Sequence, residues 1–130
     1  MVRMNKQWRR CLLIGFGLLI AFGLRVYRLG DQNIWWDEGL SVLAARKSFT
    51  GTTLWTAADV HPPLYFWILW GWQRLAGETE FALRFITVIE SLLTVAVMVP
   101  LGRRLGKPGV GVGALWLLGL SRFHIWWSQE

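Results

Sequence analysis

Pro63-Leu64-Tyr65-Phe66-Trp67-Ile68-Leu69-Trp70-Gly71-Trp72-Gln73-Arg74-Leu75-Ala76 decides how this chain is arranged. It is apolar enough for lipid, yet as a helix it reaches only about 21 Å, well short of a hydrocarbon layer of about 30 Å. If it crosses a membrane, the basic cluster Gly102-Arg103-Arg104-Leu105-Gly106-Lys107 falls on the side opposite the basic N-terminus. If it lies on the surface, both basic clusters share the cytoplasmic side. Asp31, Asp37, Glu38, Asp59, Glu78 and Glu80 then share one outer loop. The second arrangement obeys the positive-inside rule. Tyr65, Trp67, Trp70 and Trp72 also suit a helix at headgroup level.

Outward from that stretch, three apolar segments read as spans: about residues 11–29, 81–101 and 108–127. The expected fold is therefore an all-α membrane protein with three transmembrane helices. The outer loop, 30–80, is expected to carry two interfacial helices. The first should run from Asp37, as N-cap, to about Lys47. Ser48 to Thr53 reads as a polar linker. The second should open at Pro62-Pro63 and end at Gly77. Arg25, Tyr27 and Arg28 are expected at the far interface of the first span. The Gly109-x-x-x-Gly113 spacing suits a helix contact.

Composition agrees with a membrane setting. Of 130 residues 54% are hydrophobic, ten are Trp, and the net charge is +6. That apolar fraction is too high for an ordinary soluble domain, and the cations sit beside apolar runs, which points to membrane orientation and away from nucleic acid. The N-terminus has the basic and apolar regions of a signal peptide, but no small-x-small cleavage pattern follows Leu24, so it reads as a retained anchor. One cysteine, Cys11, allows no internal disulfide.

The chemistry-bearing residues lie mostly in the loop. Asp37 and Glu38 follow two tryptophans. Their plain reading is a helix cap and a dipole partner. Their functional reading is a general base, two adjacent carboxylates raising one another's pKa, or alternatively a divalent-cation site. His61 stands where a helix N-terminus would favour an anion such as a lipid phosphate, although the following prolines remove N–H donors. Arg84 and Glu90 fall within the second span, and Arg122 and His124 near the outer end of the third. Intramembrane charge suggests function, while snorkelling to the interface explains Arg84 and Arg122 structurally.

Several ordered elements carry a resemblance. They are Arg25-Val26-Tyr27-Arg28-Leu29-Gly30, Trp36-Asp37-Glu38, His61-Pro62-Pro63-Leu64-Tyr65, Gly77-Glu78-Thr79-Glu80-Phe81-Ala82-Leu83-Arg84, Gly102-Arg103-Arg104-Leu105 and Ser128-Gln129-Glu130. Together they resemble the N-terminal part of GT-C glycosyltransferases that use polyprenyl-phosphate sugars, such as protein O-mannosyltransferases and aminoarabinose transferases. The resemblance implies Asp37 as catalytic base and His61 near the donor phosphate; Glu38 joins Asp37 as a catalytic candidate, and Tyr65, Arg84 and Glu130 join His61 as candidate substrate-binding residues. It implies an inverting transfer of a hexose or pentose to an acceptor on the outer face of the cell membrane, with the N-terminus cytoplasmic. Such enzymes carry many more spans, so these residues are expected to be an inactive N-terminal portion. The competing readings are a small non-enzymatic membrane protein and part of a lipid-phosphate transporter.

Overall fold

A computed structural model describes residues 5–130. Among the described residues there are seven α-helices and no strands: α1 (Lys6–Val26), α2 (Trp36–Arg46), α3 (Phe49–Ala57), α4 (Pro63–Ala76), α5 (Glu80–Arg104), α6 (Pro108–Gly119) and α7 (Arg122–Trp127). The all-helical expectation holds. Two compact units form. One joins the chain through Tyr27 to residues 87–129, and the other comprises residues 28–86 with Glu130.

In the first unit, α1 packs on α6, and Ala21, Val95, Val99 and Leu115 form its buried core. The glycine contact differs from the expected one. Gly109 and Gly113 face open space, whereas a Cβ on Gly102 would overlap the Cα of Gly111. Close backbone approach between α5 and α6 therefore depends on Gly102 and Gly111.

The spans divide unevenly. Among the described residues only α5, with 25 residues, is both long and apolar enough to cross a bilayer, by length and composition. The expected third span, 108–127, is broken. α6 has 12 residues, and a new helix starts after Ser121, whose Oγ accepts the His124 N–H. The break is stable because the free carbonyls of the α6 end find a donor in Arg25. This residue, expected at an interface, is fully buried. Its guanidinium donates to the carbonyls of Gly119 (3.0 Å) and Ala21 (2.9 Å) and to Ser91 Oγ (2.7 Å), and it lies 2.7 Å from His124 Nδ1. Helix ends need such partners. Arg28, by contrast, is exposed and pairs with Asp31.

In the second unit the loop carries three helices where two were expected. The Ser/Thr-rich stretch read as a linker opens α3. Ser48 Oγ accepts the Gly51 N–H (3.0 Å), and buried Thr52 donates its hydroxyl to the Ala44 carbonyl (2.8 Å), satisfying the end of α2. Hydroxyls that would compete with a helix in mid-run here cap one helix and close another. α4 begins and ends as expected, with Gly77 at φ 83°, ψ −168°, a conformation essentially confined to glycine. Three of its indole N–H groups have protein partners: Trp67 to Thr53 Oγ1, Trp70 to the Lys47 carbonyl and Trp72 to the Ala82 carbonyl. Phe66 and Leu69 supply its buried face.

Candidate active site

The first turn of α2 sets the site. The N-cap is Trp35, two residues before the expected one, so Asp37 is a first-turn residue and not the cap. The capping role falls to Glu38, whose Oε2 accepts the Trp35 N–H at 2.9 Å. That division frees the Asp37 side chain from any helix-capping duty.

Adjacent in sequence, the two carboxylates serve different places. Glu38 binds Arg84 in a two-pronged pair, Nε to Oε1 and Nη2 to Oε2, both 2.8 Å. Arg84 is 4% exposed and also donates to the carbonyls of Leu29 (3.2 Å), Gln32 (2.7 Å) and Asn33 (3.1 Å). Its planar fork gathers the chain just before α2 and fixes where the helix begins. Burial pushes the Glu38 carboxyl up, but the Arg84 hydrogen bonds, the Trp35 N–H and the Arg84 charge together hold it below the ordinary value of 4.5. The expected mutual raising of the two carboxyls is therefore not found at Glu38. Its neighbour in charge is a cation.

A cavity of about 20 Å³ lies beside this pair, lined by Arg84, Glu38, Glu80, Tyr65 and Glu130. That is room for about one water, not a sugar. Arg84 and Glu130, both expected to bind substrate, line this small space.

Asp37 opens instead onto a cleft of about 720 Å³, which it lines together with His61 and Tyr65. Such a volume fits a small-molecule ligand. Leu40, Leu64 and Phe66 add apolar walls. Sequence reasoning missed a further member, Asp59. Its Oδ2 lies 3.0 Å from His61 Nδ1 and its Oδ1 accepts the Val60 N–H at 2.7 Å. The Val60 N–H, then the His61 ring, hold the Asp59 carboxyl below its usual range. The Asp59-x-His61 spacing was the available signal. Among the described residues no group of three His, Cys, Asp or Glu side chains gathers as a metal site.

Residues 60–129, more than half of the chain, match the model of the dolichyl-phosphate-mannose-protein mannosyltransferase family. The chain belongs to that family. Membership makes it a membrane glycosyltransferase of the GT-C type with a lipid-linked sugar donor. His61, Tyr65 and Arg84 fall inside the matched residues, and Asp37, Glu38 and Glu130 outside them. No curated protein and no solved structure matches the chain.

Proposed function

We propose that the cleft is where an inverting sugar transfer from a polyprenyl-phosphate donor takes place. Asp37 acts as general base: it takes the proton from an acceptor hydroxyl or amine as that atom bonds to the anomeric carbon. The bond from that carbon to the phosphate oxygen breaks through an oxocarbenium-like state. Polyprenyl phosphate leaves as an anion and needs charge stabilisation, not a proton. His61 supplies that stabilisation, with Tyr65 as a hydroxyl at the same wall. Glu38 and Arg84 hold the first turn of α2, and so Asp37, in place. A divalent cation, where the reaction uses one, would be held by Asp37 and would supply positive charge for the leaving phosphate.

The observation that carries this reading is the shared cleft: Asp37, His61 and Tyr65 come from separate stretches of sequence and line one space of ligand size. The topology proposed with it has three crossings, by α1, α5 and the α6–α7 pair, in the cell membrane. The N-terminus and residues 102–107 face the cytoplasm, and the cleft faces outward. Trp36 and Leu64 stand exposed at 80% and 62%. Bond breaking needs water excluded, so residues 1–130 by themselves are proposed to be inactive.

Asp37→Asn at the chromosomal locus, assayed in native membranes with a radiolabelled polyprenyl-phosphate sugar, tests the base. Turnover should fall about 10²-fold or more with the KM for donor little changed. Near-normal turnover in a normally folded variant removes Asp37 from the chemistry.

A further inference from the structure

We infer that Trp55 sets the sugar specificity of the cleft, its indole N–H binding one hydroxyl of the donor's sugar ring. This rests on the donor reading of the cleft and deepens it. Trp55 is the one tryptophan that lines the cleft. It stands half-buried, two residues before the end of α3. Its ring is tilted at 59° against buried Phe66, with centroids 5.5 Å apart, so its place in the wall is fixed. Trp67, Trp70 and Trp72 of the same unit each give their N–H to a protein oxygen. The Trp55 N–H makes no such bond among the described residues, where no buried side-chain polar atom lacks a partner. The Trp55 N–H is therefore open, not buried.

The chemistry selects the ligand. An aromatic body with one donor at its rim matches a ligand that is apolar on a face and carries acceptors around its edge. A pyranose is such a ligand, with C–H groups on a face and hydroxyls at the rim. A prenyl chain is not. Burying the N–H against it would leave a donor without a partner, at a cost of about 1–3 kcal/mol. The donor's phosphodiester accepts hydrogen bonds but has no proton to give. Asp37 and Asp59, lining the same cleft, are acceptors, and a hydroxyl is the group that can accept from the indole and donate to a carboxylate at once. Asp59 follows Trp55 by one turn, its N–H on the Thr56 carbonyl at 3.2 Å, so donor and acceptor come from one stretch of chain.

Trp55→Phe tests this, because it keeps a ring against Phe66 and removes the N–H. No protein group loses a bond, so the level of enzyme in native membranes should equal wild type. A shortfall would show the N–H to be used inside the protein and would overturn the inference. The probes are radiolabelled polyprenyl-phosphate mannose, the sugar of the matched family, and each of its monodeoxy forms. In wild-type membranes one monodeoxy donor should be poorer than the parent by about tenfold in kcat/KM, the worth of one hydrogen bond. In Trp55→Phe the parent should fall by about tenfold while that monodeoxy donor is unchanged, and the remaining donors should fall with the parent. Trp67→Phe removes a partnered N–H that does not line the cleft, and should leave the order of donors as in wild type. Equal loss on every donor in Trp55→Phe, or loss on none, overturns the role of the N–H. Wild-type membranes inert to the mannosyl donors refute the choice of sugar, and with it the inference. If Asp37→Asn slows turnover while Trp55→Phe treats all donors alike, the cleft stands as the reaction site and only the sugar contact falls. If both variants behave as wild type, the cleft itself is refuted.

Discussion

Two buried arginines organise the two units of this molecule by opposite means. Arg84, in the loop unit, is matched by a carboxylate, and its remaining N–H groups collect three carbonyls of the segment leading into α2. Arg25, in the helical unit, has no carboxylate partner among the described residues and spends its donors on helix-end carbonyls, a serine and a histidine. The first is a charge pair that places the opening turn of α2. The second is a brace that makes a broken helix tolerable. Burial of a cation is thus not one signal: what it does depends on whether the partner is a charge or the open end of a helix.

The contrast can be broken most directly at Arg84. Arg84→Ala leaves Glu38 as an unpaired, largely buried anion and releases three carbonyls. It should destabilise the loop unit by about 3–5 kcal/mol, read as lost hydrogen-exchange protection across α2 and the segment before it. Arg25→Met should cost less, about 1–3 kcal/mol, because it leaves orphaned neutral acceptors and no orphaned charge. The loss should concentrate in α6 and α7. A larger loss at Arg25 than at Arg84 would reverse the comparison.

Acid sharpens it further. Glu38 has a depressed pKa in the folded protein, so its pairing contributes fully above the ordinary carboxyl value of 4.5 and is lost as pH falls through the lower folded value. Protection of α2 should fade in that acid window, and Glu38→Gln should abolish the dependence. A wild-type loop unit indifferent to pH in that window would show the pair to be idle. The smallest effect is expected at Asp37. Since the N-cap position is Trp35 and its N–H is taken by Glu38, Asp37→Asn should change stability by no more than about 0.5 kcal/mol. A loss nearer 1 kcal/mol would return Asp37 to the capping role read from the sequence.

Much of the frame was legible because it rests on local rules. Pro63 opens α4, Gly77 ends it and the long apolar run gives α5, each from residue type and spacing alone. What escaped depended on partners far away in the chain. Ser48 to Thr53 looks like a linker until Thr52 meets Ala44. The run 108–127 looks continuous until Arg25 arrives to satisfy Gly119. In the site, Asp37, His61 and Tyr65 were legible as residue types, and the family match takes in His61 and Tyr65. The separation of Asp37 from Glu38 was not, because adjacent carboxylates read as a pair whereas Arg84, 46 positions further on, claims only one of them.

The Arg25 brace also has a history during synthesis. Its partner at Gly119 lies 94 residues further along the chain. At ribosomal rates of about 5–20 residues per second, α1 must wait about 5–20 s for the carbonyls that will bind its arginine. Until then the guanidinium has no α6 carbonyl to bind and keeps its hydration, since burying an unpaired charge is costly. The buried position follows when the end of α6 arrives, so the folding of this unit must strip water from a cation well after α1 itself can form.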